Sequence, residues 1–166
     1  PIHAALRQIH DGEGLVGVAN GRAEYGPRAL GNRSLLADPR GQGMKDKVNA
    51  VKRRQEFRPF APVIKEEKLH DYFEMPEGCN ASPFMQFVGR CKFPDLYPAI
   101  THLDGTSRVQ TVTQDQHPGL YKLLDEWEKL TGCPMLLNTS LNIKGEPMVD
   151  DDVDANRWYE QYNIPV

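Results

Sequence analysis

Cationic and amide-bearing residues recur at four places in this chain, each beside a turn or a strand end. Arg28 and Arg33 stand in "GRAEYGPRALGNRS" (21–34), among Gly21, Gly26 and Gly31, together with Arg22 and a single acid, Glu24. Lys52, Arg53, Arg54 and Arg58 crowd "VKRRQEFRPFAP". Arg108 follows the Asp104-Gly105 pair, and Asn138, Thr139, Ser140 and Asn142 make up "NTSLN". Glycine lets main-chain N–H groups come close to a ligand, and the arginine fork matches the oxygens of phosphate or carboxylate. The chemistry common to all four places is the binding of an anion.

That positive charge is local. From Arg22 to Arg58 ten Lys/Arg face four acids, so this window carries +6 and the remainder −9, against a total of −3. Such asymmetry implies an anion site rather than a wholly basic nucleic-acid binder. With 166 residues, 39% hydrophobic and 26% charged, the chain fits one globular domain (1–166) able to bury a core without staples. No apolar run approaches a membrane span, and no leader pattern opens the chain. It begins at Pro1 in what reads as the inside of a fold, so an excised piece of a longer polypeptide is expected. Three widely spaced cysteines (Cys79, Cys91, Cys133) form neither a disulfide framework nor a zinc knuckle, and a reducing cytoplasm is the expected compartment. The histidines show no HxH or HExxH spacing, so none is assigned to a metal.

The elements that must position these residues alternate. Ile2, Leu6 and Ile9 predict a first helix, ended by Gly12 and Gly14. "LVGVAN" predicts a buried strand, from which the glycine-arginine segment leaves as a loop, and "SLLADP" a second strand. "GMKDKVNAVKRRQEF" reads as helical, and Pro59 and Pro62 make "RPFAPVIKEE" extended. "KLHDYFEM" reads as a short helix, a strand is expected around Phe84 to Val88, and "ITHLDGTSRVQTVT" as a hairpin. Leu120, Leu123, Leu124, Trp127 and Leu130 form the clearest helical stripe, with Gly132 at its end. "PMLLNTS" predicts a strand entering the turn "LNIKGEP", and an acidic lead-in precedes a last helix. The class is α/β with mixed strand directions.

Taken singly, each polar cluster has an ordinary explanation. "KRR" on a helix is usually a solvated face, an Arg in a hairpin commonly pairs a cross-strand acid, and "NTSLN" could bond its own turn. GxxxxGK[ST] is missing, which excludes a P-loop. Tyr25, Phe57 and Phe60 could stack on a base, although core packing is the commoner fate of Phe.

The wording and order of the four together are more specific. "GRAEYGPRALGNRSLLADPR", "KRRQEFRPFAPVI", "ITHLDGTSRVQTV" and "PMLLNTSLNIKGEPMV" resemble the C-terminal, YrdC-like domain of the O-carbamoyltransferases, over about residues 15–155. The resemblance implies a twisted mixed sheet with a concave face and helices on its other side. It also implies a missing N-terminal Kae-like domain of the same polypeptide as partner. The domain would bind ATP, Mg²⁺ and carbamoyl phosphate and form carbamoyl-adenylate, which the N-terminal domain would use on an acceptor hydroxyl. Lys52, Arg58, Ser140 and Asn142 resemble the catalytic Lys, Arg and Ser-x-Asn of that fold. Arg28 and Arg108 resemble arginines that clasp carbamoyl phosphate, and Arg33, Asn138 and Thr139 join them as substrate-binding candidates. One departure stands out: simpler YrdC proteins place Lys two residues before Arg, where this chain has Glu56, so Arg53 or Arg54 could stand in for Lys52.

Attack of a carbamoyl oxygen on the α-phosphate of ATP brings polyanions together and expels pyrophosphate. Positioning and charge neutralisation then matter more than a protein nucleophile. Asp104 is a candidate to hold Mg²⁺ through water, or simply a turn residue. Two other classes remain: an RNA- or nucleotide-binding YrdC-like module without carbamoyl chemistry, and a silent domain that only holds its partner. The net charge weighs against nucleic acid.

Overall fold

In the computed structural model, which describes residues 1–55 and 57–166, the spacing of Leu6 and Ile9 becomes the buried face of α1 (Ile2–His10). Glu56, the point of departure from the simpler YrdC pattern, lies outside the described residues. Strands β1 (Leu15–Ala19) and β2 (Arg33–Ala37) follow, joined by the glycine-arginine loop. Then come α2 (Met44–Val51), β3 (Ala61–Lys65), a single 3-10 turn, the short α3 (Leu69–Tyr72) and β4 (Phe73–Glu74). The chain closes with β5 (Phe87–Cys91), β6 (Thr106–Val112), α4 (Pro118–Thr131), β7 (Met135–Ser140) and α5 (Asp152–Tyr162).

The class is mixed α/β: one seven-stranded open sheet in the order β1-β2-β7-β3-β6-β5-β4, with five α-helices among the described residues. Only β3 and β6 pair in parallel; the other neighbours are antiparallel. The central strands are near-continuous apolar runs buried on both faces, as in Leu35, Leu36, Val63, Ile64, Leu136 and Leu137. Helix α4 buries the expected stripe of Leu120, Leu123, Leu124 and Trp127, and Gly132 ends it in the left-handed region at φ 73°. Leu130, the last residue of that predicted stripe, is exposed. Cys79, Cys91 and Cys133 are buried free thiols. No helix among the described residues is long and apolar enough to cross a membrane.

Three expectations shift. The helix predicted through Phe57 stops at Val51, because Arg53 turns into the left-handed region (φ 51°) and the Lys52 carbonyl accepts from Lys144 N. The strand expected at Phe84 begins only at Phe87. Ser82 holds the preceding turn, its hydroxyl donating to Val109 O and accepting from Phe87 N. The hairpin keeps its turn, with His102 N donating to Thr106 O at 2.7 Å, but its first arm is no strand. Instead β6 pairs with β5 and β3, which places it inside the sheet and carries Arg108 with it.

Candidate anion-binding site

The sheet order brings "NTS" at the end of β7 beside the start of β3, one strand from β6. A pocket of about 110 Å³ forms there. Its polar wall is Arg28, Arg54, Arg108, Asn138, Thr139 and Ser140, and Phe60 and Met85 supply apolar surface. Among the described residues no Asp or Glu lines it.

Arg28 arrives on the loop between β1 and β2, and an acid organises that loop. Glu24 Oε1 accepts from Leu30 N at 2.8 Å and Asn32 N at 2.6 Å, closing the segment on itself. Gly31 completes the fold at φ 123°, where a Cβ would lie 2.8 Å from both His117 Nε2 and Leu120 Cδ2. The folded loop is tied to the sheet through its carbonyls. Asn138 Nδ2 donates to Ala29 O at 3.0 Å, and Gln110 Nε2 to Leu30 O at 3.1 Å.

Arg54 is held in three ways. Its Nε donates to Asn49 Oδ1 at 2.7 Å, its Nη2 to Pro59 O at 3.2 Å, and its guanidinium lies 4.0 Å from the Phe60 ring centroid. Burial, then repulsion from Arg58 and Arg108, pushes its pKa down to about 10. Arg108 is lowered by burial and then by Arg28. These arginines repel one another across a wall with no acid among the described residues, which favours an anion between them. Two atoms of wall residues are buried without a hydrogen-bond partner: Arg108 Nε, a donor, and Asn138 Oδ1, an acceptor.

Ser140 lines the pocket with a lysine bonded to it. Lys52 is 5% exposed, and its Nζ donates to Ser140 O, Ser140 Oγ (3.2 Å), Asn142 O (2.9 Å) and Asn142 Oδ1 (3.1 Å). Ser140 Oγ donates in turn to Asn142 Oδ1 at 2.6 Å. Burial, and secondarily Arg54, pushes the Lys52 amine down to about 7.

The fold therefore gathers Arg28, Arg108, Asn138, Thr139 and Ser140 at one pocket and bonds Lys52 and Asn142 to Ser140. Arg58 is exposed and does not line it, though it lies within electrostatic reach of Arg54. Arg33 is also absent from the wall. It is 6% exposed, and its guanidinium donates to the carbonyls of Asn20, Gly21, Asn32 and Asp150. Asp104 is a turn residue, accepting from Thr106 N at 3.0 Å and from Thr106 Oγ1 at 2.7 Å. Sequence reasoning offered Arg54 only as a substitute and missed Met85 and Gln110. A polar Gln inside the apolar alternation of "RVQTV" was a usable signal; nothing in the sequence marked Met85, which is 5% exposed in the left-handed region at φ 56°.

A family model described as "Carbamoyltransferase C-terminus" matches residues 7–166. Nodulation protein NolO of Bradyrhizobium diazoefficiens is 47% identical over 144 residues, covering 85% of this chain and 26% of its own length. Nodulation protein U of Azorhizobium caulinodans is 45% identical over 150 residues, covering 90% of this chain and 26% of its own. The chain thus spans about a quarter of the length of the curated relatives it matches.

Proposed function

Since this chain belongs to the carbamoyltransferase C-terminal family, we propose that it binds carbamoyl phosphate in the arginine-lined pocket and ATP at the pocket's mouth, and forms carbamoyl-adenylate. The remainder of a longer polypeptide, a Kae-like domain, then passes the carbamoyl group to an acceptor hydroxyl. The observation that carries this reading is the convergence of Arg28, Arg54 and Arg108 on a wall with no acid among the described residues, with Arg108 Nε buried and unpartnered. Buried donors without partners cost free energy until a ligand supplies the acceptor.

The residues divide the work by chemistry. The three guanidiniums neutralise phosphate oxygens, and their forks fix the phosphate's orientation. Ser140, whose hydroxyl donates to Asn142 Oδ1, can turn that proton to the same oxygens because Lys52 also donates to Asn142 Oδ1. An incoming anion favours the charged amine and draws a proton onto Lys52 at neutral pH and above. A pocket of about 110 Å³ suits a carbamoyl phosphate, whereas a nucleotide must extend beyond it. Exposed Tyr25 and Phe57 lie on the segments leading to Arg28 and Arg58 and offer ring faces to a base.

The balanced reaction consumes carbamoyl phosphate, ATP and water and yields carbamoyl-adenylate, phosphate and pyrophosphate. Water cleaves carbamoyl phosphate to carbamate and phosphate, and a carbamate oxygen then bonds to the α-phosphorus as the bond to pyrophosphate breaks. The protein's part is positioning and neutralisation of charge. Among the described residues Mg²⁺ finds no carboxylate in the pocket wall, and no group of three or more His, Cys, Asp or Glu could hold an ion. The wall does not fit a protein-held Mg²⁺, and any such ion would come with the nucleotide phosphates.

Calorimetry with carbamoyl phosphate and a non-hydrolysable ATP analogue, beside a pyrophosphate-release assay, tests the proposal. Pyrophosphate release that requires carbamoyl phosphate is expected. Failure to bind carbamoyl phosphate, combined with RNA binding that falls steeply with salt, would replace the reading with the nucleic-acid one.

A further inference from the structure

The side-chain amide of Asn138 has only one orientation open to it. Its Nδ2 lies 3.0 Å from Ala29 O and 2.6 Å from Gln110 Oε1. A backbone carbonyl can only accept, so the NH₂ end must face Ala29. Gln110 is fixed by the same logic. Its Nε2 donates to Leu30 O at 3.1 Å, which leaves its Oε1 to receive Asn138. Two carbonyls of the Glu24-organised loop thus lock two amides in series. The consequence falls on Asn138 Oδ1: the residue is 1% exposed, lines the pocket, and its carbonyl oxygen has no partner. Rotating the amide would not satisfy that oxygen, since it would then face two acceptors, Ala29 O and Gln110 Oε1.

An acceptor is thereby held in a wall otherwise rich in donors from Arg28, Arg54, Arg108 and Ser140. The donors suit the phosphate end of a ligand. The acceptor suits an N–H at the other end. Resting on the carbamoyl phosphate reading above, we propose that Asn138 Oδ1 accepts a hydrogen bond from the carbamoyl NH₂. Asn138 is then the residue that selects carbamoyl phosphate against acyl phosphates lacking N–H. Acetyl phosphate is the decisive competitor, since a methyl replaces the amide at nearly the same volume. It would fill the pocket yet leave the buried oxygen unpaired, and sites built around a substrate N–H reject such analogues far more strongly than size alone allows.

Calorimetry of the 166-residue chain with carbamoyl phosphate, acetyl phosphate and inorganic phosphate tests this directly. Carbamoyl phosphate should bind about 10- to 100-fold more tightly than acetyl phosphate. In Asn138→Ala that preference should shrink to within about 3-fold, with carbamoyl phosphate losing much more affinity than inorganic phosphate. Asn138→Ala also releases Ala29, so melting is followed alongside. If that variant does not fold, Gln110→Leu, which unlocks the amide without deleting it, should reduce the preference. Equal affinity of the wild-type chain for the carbamoyl and acetyl compounds overturns the proposal while leaving the anion site standing. So does a preference unchanged in the folded variant. Absence of binding by all three compounds overturns the underlying reading instead.

Discussion

Lys52 and Lys65 are each 5% exposed, yet their surroundings are opposite. Lys65, at the end of β3, meets Asp125 Oδ1 at 2.9 Å and Glu128 Oε2 at 2.8 Å on α4. Lys68 reaches Glu128 at 3.1 Å, and Lys129 reaches Asp125 at 2.8 Å. Burial alone would lower the Lys65 pKa, but its hydrogen bonds to Glu128 and Asp125 outweigh it and raise the pKa. Among the described residues Lys52 donates only to neutral oxygens, and burial with Arg54 lowers it to about 7. One cation is answered within the fold and clamps a helix to the sheet. The other is bonded to Ser140, beside a pocket whose described wall holds no carboxylate. A buried cation paired to acids is structural; cations gathered without acids leave their charge for a ligand.

Four predictions test that contrast. Arg108→Ala should weaken carbamoyl phosphate binding about 100-fold, as expected for a charge-assisted contact, with little change in melting temperature. A melting temperature that falls as far as binding would place Arg108 with the structural cations. Lys65→Met should do the reverse. It strands Asp125 and Glu128 and should lower stability by about 1–3 kcal/mol in denaturant titrations, with phosphate affinity unchanged.

The third prediction concerns pH. Lys52 has a lower pKa folded, about 7, than its ordinary 10.5, so the unfolded chain binds more protons between those values. Stability should therefore rise with pH across that window, and Lys52→Met should flatten the rise. The Lys65 contribution, by contrast, is fully present below 10.5 and lost as pH climbs beyond it. Its partner Asp125, lowered to about 2 by hydrogen bonds from Lys129 and Lys65, gives up its share only as pH falls from the ordinary 3.8 toward 2. Calorimetry of ligand binding near pH 8 in buffers of different ionisation enthalpy should also show proton uptake by Lys52. Smallest of all, Arg58→Ala should cost only a few-fold in affinity, because Arg58 is exposed and acts on the pocket through Arg54. A loss as large as that of Arg108→Ala would put Arg58 in direct contact with the ligand.

Legibility differed by element. The stripe of α4 and its Gly132 end were readable because helical periodicity and a left-handed cap are local properties. The end of α2 was not, since Arg53 leaves the helix where residues nearly a hundred positions away, Lys144 with Asn142, bond to Lys52. Arg28 and Arg33 looked equivalent in the same glycine-rich loop. Their fates separate because β2 begins at Arg33 and carries it to the Asp150 carbonyl, whereas Arg28 stays on the loop facing the pocket.

The amino-acid sequence alone determined most local elements, the +6 window and the four polar clusters, because periodicity, turn chemistry and charge count need no partner. Tertiary structure alone decided which cations converge, which acid-paired lysine is only a clamp, and which atoms of the pocket wall are left unsatisfied. Those outcomes depend on β2, β7, β3 and β6 lying side by side in an order that differs from their order in the chain. A hydrogen bond between residues more than a hundred positions apart, such as Asn138 to Ala29, exists only once that order is made.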